Sequence, residues 1–307
     1  MRQIFIVGRF RTGTSLIWNL FRQTKRYATF YEPLHESIAT EIRNNNSPKI
    51  LKHFGMKHKF TEYRDYNIQL QDDPQLALQN LYIKRPSEPF DALYVRLSKL
   101  VHKADKDIVI KSNRLDFRIN WLERYYQANT RANITIIYIK RNPRNSYIST
   151  IETSSPKPSP KWATNPFCIN PQRSHIYYLK QYIQILGRKF PFLLRTKSNN
   201  YEKYYFIYKK SLEMAEQYAD VIIDYDKLIR TPRTELKKLE DYIDIEQSIP
   251  LVRTNDKKTP VTYLDIDFKH TETFVDYAYN IDLTHTHTYQ NFMEHYWQDY
   301  YRCFHTL

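Results

Sequence analysis

Glycine is scarce in this chain: 307 residues contain four, where average usage of about 7% would give roughly twenty. Two of the four, Gly8 and Gly13, fall in one short stretch, so that stretch demands backbone freedom the rest of the chain does without. Cysteine is scarcer still. Cys168 and Cys303 lie far apart and form no CxxC pair, which excludes a disulfide framework and gives no sign of a structural zinc site. No run of eighteen apolar residues occurs, which excludes a membrane-spanning helix, and the opening MRQIFIVG enters a strand too soon to leave room for a signal peptide. The expectation is a cytoplasmic protein. Acidic residues are also in the minority, 33 against 47 lysines and arginines, for a formal charge of +14. Such a field draws in polyanions; alone it fits an anionic small molecule, an anionic membrane surface touched peripherally, or nucleic acid.

One further absence is local. Ile4 to Leu20, IFIVGRFRTGTSLIWNL, runs from an apolar strand into Gly8-x4-Gly13-Thr14-Ser15, which overlays the phosphate-loop pattern GxxxxGK[ST] with Thr14 in place of the lysine. A turn after a buried strand aims backbone N–H groups at one anion, and the following helix adds its positive end. The loop therefore suits a phosphate, and the lost lysine points away from ATP. An ordinary strand-turn-helix junction with polar capping residues is the alternative.

Three later stretches belong with it. Asn133 to Thr150, NITIIYIKRNPRNSYIST, reads as a buried β-branched strand ending in Lys140 and Arg141, with Asn142 as cap and Pro143 as first residue of a helix. Tyr31-Glu32-Pro33-Leu34-His35 follows a short strand over 27–31, and Pro33 biases Glu32 toward extended geometry at the mouth of the sheet. Asp107 to Asn113, DIVIKSN, reads as another strand with a basic end at Lys111 and Arg114.

Taken in order, these motifs resemble those of the PAPS-dependent sulfotransferases (PAPS is 3′-phosphoadenosine 5′-phosphosulfate). Arg11-Thr12-Gly13-Thr14-Ser15-Leu16 resembles the family's 5′-phosphosulfate loop, and Arg141 with Ser149 eight residues on resembles its 3′-phosphate motif. Ser146 is a nearer rival to Ser149. Glu-Pro-Leu looks like the carbohydrate branch of the family. The resemblance spans roughly residues 1–245. It implies donor binding by Arg11, Thr12, Gly13, Thr14, Ser15, Arg141 and Ser149, with PAPS as donor and the bisphosphate PAP as product. It also implies that Arg11 faces the transferring sulfuryl group and that Glu32 takes the acceptor's proton if burial raises its pKa, with His35 as reserve base. The acceptor is expected to be a hydroxyl of a sugar, glycan or glycolipid. One departure is informative: where small-molecule sulfotransferases carry a basic histidine after Lys-Thr, this chain has Asn113, and an amide cannot act as a base.

The alternating strand and helix signals predict an α/β, doubly wound, three-layer fold with a central parallel sheet, one domain over 1–307. A helical insertion is expected over about 44–106, with a helix from Ser87 to Lys103 and Leu93, Leu97, Leu100 and Val101 on its inner face. A proline-rich loop is expected over about 154–171. Later elements are a helix over 202–219, a buried strand over 220–225 and a helix from Thr231 to about Tyr242. The tyrosine- and histidine-rich region 245–307 is hard to read. Arg253, Lys257 and Lys258 are candidate donor contacts there, and His285 and His287 lack further ligands nearby, so no metal is assigned. A non-catalytic nucleotide- or RNA-binding protein and a degenerate phosphate-loop kinase remain alternatives, and nucleic acid is the disfavoured partner.

Overall fold

The computed structural model describes residues 1–44, 59–78, 89–154, 174–194, 200–253, 269, 272, 273, 275 and 276. Its centre is a five-stranded sheet in the order β2-β3-β1-β4-β5, every neighbouring pair parallel. The strands are β1 (Arg2–Val7), β2 (Ala28–Tyr31), β3 (Ile108–Lys111), β4 (Asn133–Lys140) and β5 (Val221–Asp224). Parallel neighbours need crossovers, and a sheet covered on both faces reads as continuous apolar runs. IFIV in β1 and ITIIYI in β4 are such runs, and both are buried along their length.

Helix α1 (Thr14–Gln23) covers one face, with Trp18 edge-on to Tyr31 at 5.1 Å and Phe21 edge-on to Tyr27 at 5.5 Å between ring centroids. On the other face Tyr126, in a π-helical turn over Leu122–Tyr126, meets Phe5 at 5.8 Å. The helix Asn200–Tyr218 reaches that same face through Ser211, whose hydroxyl lies 2.7 Å from that of Tyr138. Helix, sheet and helix form three layers, the doubly wound α/β arrangement expected. In β order 2-3-1-4-5 the chain leaves the centre to either side, and ligands of such sheets bind beyond the carboxyl ends of the strands.

Several boundaries differ from the sequence reading. The strand expected over 220–225 is shorter and only half-buried, because β5 forms the sheet edge. The helix expected to reach Tyr242 runs over Pro232–Leu236 and tightens into a 3₁₀ turn at Lys237–Leu239. Within the insertion the long helix starts at Asp91, with Leu93, Leu97 and Leu100 fully buried; Ser87 lies outside the described residues. So do the proline-rich stretch beyond Ser154, Lys257, Lys258, His285, His287 and both cysteines.

Candidate active site

Five strand ends converge on a cavity of about 300 Å³. The loop after β1 supplies Arg11, Gly13, Thr14 and Ser15, β2 supplies Tyr31 and Glu32, β3 supplies Lys111 with Asn113 and Arg114 beyond it, β4 leads to Arg141, and β5 leads to Tyr225.

The loop is built by close approach. A Cβ on Gly8 would stand 2.6 Å from the Ile139 carbonyl oxygen, and one on Gly13 would stand 2.1 Å from the Tyr225 ring. Gly13 also holds φ at 98°, in the left-handed region. No side chain caps α1 at Gly13, so the first N–H groups of the helix point toward the cavity without the usual hydroxyl or carboxylate acceptor. Thr12 Oγ1 donates to the Arg9 carbonyl at 2.7 Å, and Thr14 Oγ1 donates to Asn113 Oδ1 at 2.8 Å. Asn113 thus pins the loop to β3, a use for the amide at the position where a base was missing.

Beneath the loop Arg9 is buried. Its Nη1 donates to Asp116 Oδ2 at 2.6 Å, and its guanidinium lies 4.2 Å from the Tyr182 ring centroid. Burial works against its charge, but Asp116 overrides that penalty and holds the pKa above the ordinary arginine value. Arg9 is therefore a structural cation below the loop, and Arg11 the one at the cavity.

Of the residues expected to hold the donor, Arg11, Arg141 and Ser149 meet one another, whereas Thr12 is fully buried, gives its N–H and its hydroxyl to the Arg9 carbonyl and does not line the cavity. Arg11 has φ 69° and its Nε donates to Ser149 Oγ at 3.2 Å. Arg141 Nη1 donates to the Arg11 carbonyl at 3.0 Å, its guanidinium lies 4.9 Å from the Tyr225 ring centroid, and its Nε is buried with no acceptor among the described residues. A planar cation with a donor left over beside a glycine-lined loop fits a phosphate. Ser146, the rival to Ser149, is fully buried and turned into the protein. Asn142 caps the helix Pro143–Ser154, its Oδ1 accepting from the Arg144 N–H at 2.9 Å, so the motif's helix starts as the sequence predicts. Tyr225, which walls both Gly13 and Arg141, had no sequence signal beyond its place after a strand.

Across the cavity Glu32 differs from expectation twice. Its φ is 48°, not extended: the chain turns sharply at the end of β2 while the Glu32 N–H still donates to the Lys111 carbonyl at 2.7 Å. That turn overrides the bias of Pro33 and carries the side chain back over the end of β3. Its carboxylate, 4% exposed, accepts from Lys111 Nζ, from Arg114 Nη1 at 3.0 Å and from the Asn113 N–H at 3.3 Å. Burial alone raises a carboxyl pKa, but the charges of Lys111 and Arg114 outweigh it and take Glu32 down to about 2. Arg114 pairs in addition with Glu36.

His35 also lines the cavity. Burial and then Arg114 lower its pKa, so the ring is neutral at pH 7, and its Nδ1 accepts from the Ser37 N–H at 3.2 Å. The proton then sits on Nε2, which makes that nitrogen a potential donor. Tyr31 puts its hydroxyl 2.9 Å from Ser15 Oγ, with Lys111 Nζ 4.6 Å and Lys59 Nζ 5.0 Å from its ring centroid. Lys59 and Phe60, from the stretch read as an insertion, complete the wall with Glu41; their roles left no motif in the sequence.

A parallel α/β sheet ending in a lysine-free phosphate-type loop, with cations from two further strand ends, is a site suited to an anionic ligand. A family model described as the sulfotransferase domain matches residues 1–295, and the chain belongs to that family. No curated protein matches the chain. Solved structures similar to it include the sulfotransferase domain of the Synechococcus PCC 7002 olefin synthase (14% identical, covering 87% of this chain and 82% of that one, TM-score 0.37). They also include the sulfotransferase domain from the curacin biosynthetic pathway (16%, 91% and 90%, TM-score 0.40) and sulfotransferase STF9 from Mycobacterium avium (12%, 92% and 77%, TM-score 0.44). Among the described residues no three His, Cys, Asp or Glu side chains cluster as metal ligands would, and no helix is long and apolar enough to cross a membrane.

Proposed function

We propose that this sulfotransferase takes its sulfuryl group from PAPS and passes it to a hydroxyl of a sugar, glycan or glycolipid. The observation that carries the donor assignment is the meeting of Arg11, Arg141 and Ser149 around an uncapped loop in which threonine replaces lysine. Arg141 and Ser149 hold the 3′-phosphate, and the first N–H groups of α1 with Thr14 and Ser15 hold the 5′ side, while Thr12 shapes the loop from within. The donor supplies an activated sulfuryl group. Arg11, at the loop's mouth, stabilises charge building on the departing phosphate oxygen. Glu32 receives the acceptor's proton as the acceptor oxygen bonds to sulfur and the sulfur–oxygen bond to the phosphate breaks. The products are the sulfate ester and the bisphosphate. His35 Nε2–H orients the acceptor, which enters past Lys59 and Phe60.

Incubating the protein with PAPS and a panel of simple sugars and glycosides, with release of the bisphosphate as readout, tests this. Turnover that depends on a hydroxyl acceptor and persists in a metal chelator is expected. Turnover of ATP in place of PAPS would contradict it.

A further inference from the structure

A second groove lies between the helix Asp91–Lys103 and the chain that follows the helix Thr61–Asp65. Its volume is about 540 Å³, and it shares no lining residue with the active-site cavity. Small-molecule sites run from roughly 300 to 1,000 Å³, so it has the size of one. Its walls are fixed by their own packing. Asn67 takes a left-handed φ of 48°, its N–H donates to the Arg64 carbonyl at 2.9 Å, and the Ile68 N–H donates to the Tyr63 carbonyl at 2.7 Å. That turn carries Ile68 inward, where it is buried against the groove. On the helix, Leu93, Leu97 and Leu100 go to the core, which leaves Tyr94 and Val95 at the groove. Tyr94 is braced by Tyr125 and Tyr126, at 6.3 and 5.7 Å between ring centroids, while Val95 stays half-exposed, as few large apolar side chains of this protein do.

Farther along the same helix the groove is basic. Lys99 and Lys103 follow Val95 at a spacing of four, about 12 Å along the axis from Val95 to Lys103, and so share its face. His102 joins them, its Nδ1–H donating to the Ser98 carbonyl at 2.8 Å, which holds the ring at the rim. Among the described residues neither lysine has an ion pair, and no carboxylate lines the groove. Both ammoniums therefore keep their attraction for an anion, while their stems extend the apolar wall.

A groove apolar at one end and cationic at the other is the complement of an anionic amphiphile. Being concave, it encloses one chain, whereas insertion into a bilayer calls for a protruding apolar patch. No arginine, with its fork for phosphate, lines it, so a singly charged carboxylate matches it best. We propose that this groove binds a single acyl chain ending in a carboxylate, with the chain along Ile68, Tyr94 and Val95 and the head group between Lys99 and Lys103. The site uses none of the residues assigned to donor or acceptor, so it stands or falls apart from those assignments.

The test titrates the full chain with decanoate, kept below micelle-forming concentration, by calorimetry. Decanoate should fill a single site, and decanol, which lacks the charge, and butanoate, which lacks the chain, should each bind about tenfold more weakly or worse. Lys99→Glu combined with Lys103→Glu should weaken decanoate by about tenfold and leave decanol nearly unchanged, and Val95→Asp should weaken both. Lys25→Glu combined with Lys237→Glu alters net charge by the same amount at exposed positions elsewhere and should leave decanoate binding nearly unchanged. All the substituted positions are exposed, and melting curves near wild type check that the variants fold. An equal loss in the Lys25 and Lys237 pair would make the binding a response to overall charge, and undiminished binding in Val95→Asp would put the chain elsewhere; either result overturns the proposal. Absence of decanoate binding overturns it too. So does binding to vesicles of phosphatidylcholine and phosphatidylglycerol without binding of monomeric decanoate, which would make this face a membrane contact.

Discussion

The two sides of the cavity treat charge in opposite ways. At the end of β4, Arg141 meets a backbone carbonyl and an aromatic ring. At the ends of β2 and β3, Lys111 and Arg114 meet the carboxylates of Glu32 and Glu36. A cation set against neutral groups retains its attraction for an incoming anion, whereas a cation set against a carboxylate has spent most of it. One wall thus keeps a cation beside neutral groups, and the other is balanced by its own carboxylates. In the proposed reaction the first wall is the donor side and the second the acceptor side, and the difference between them follows from the choice of neighbours, since both use basic side chains.

Glu32→Gln should lower turnover by about a hundredfold or more while the protein still binds donor, since it removes the proton acceptor and keeps the shape; steady-state rates with any accepted sugar check this, and an active variant would move the base elsewhere. On the donor side, Arg141→Ala should weaken bisphosphate binding by about 2 to 3 kcal/mol, read by calorimetry. Gly13→Ala should cost about 1 to 3 kcal/mol of stability because φ 98° is strained for alanine. Its methyl also meets the Tyr225 ring, so a lowered melting temperature should come with weaker donor binding. The smallest effects concern titration. The unfolded-state value for Glu32 is near 4.5 and the folded value about 2, so its ion pairs contribute fully to stability above about pH 4.5. That contribution is lost as pH falls from there toward 2, and acid unfolding of Glu32→Gln should be less steep across that window. His35, with its pKa lowered by burial and Arg114, should titrate below the ordinary 6.5 in a proton NMR series; a midpoint above that value would show the ring facing Glu36 more than Arg114.

Much of the loop after β1 and of the helix start after β4 was legible in the sequence because both depend on backbone. Gly8 is demanded by close approach of neighbouring backbone, Gly13 by its dihedrals, and the cap Asn142 and the N1 residue Pro143 by a helix start, and such demands write themselves as residue types at fixed spacing. The core strands were legible for the same reason: buried parallel strands leave unbroken apolar runs. The acceptor side was not. That Glu32 would turn back at φ 48° against the bias of Pro33, and that Lys111 and Arg114 would overrule burial in setting its pKa, depends on β2 and β3 being neighbours with Tyr31 in register with Lys111 and the Glu32 N–H on the Lys111 carbonyl. Periodicity along the chain holds no record of such pairings. Tyr225 and Lys59 reach the cavity through strand order and through the folding of the 44–106 region, and Arg9 and Asp116 pair across 107 residues, contacts that a local reading of sequence does not see.

The most direct test of the account is a pair of titrations of the wild-type protein and Arg141→Ala, one with adenosine 3′,5′-bisphosphate and one with adenosine 5′-phosphate. The account predicts that the wild type binds the bisphosphate far more tightly, and that Arg141→Ala removes most of that difference while leaving the weak binding of the 5′-phosphate nearly unchanged. Equal affinity of the wild type for the two nucleotides, or an equal loss for both in the variant, would contradict the assignment of the β4 end as the 3′-phosphate site and with it the reading of the cavity as one prepared for PAPS.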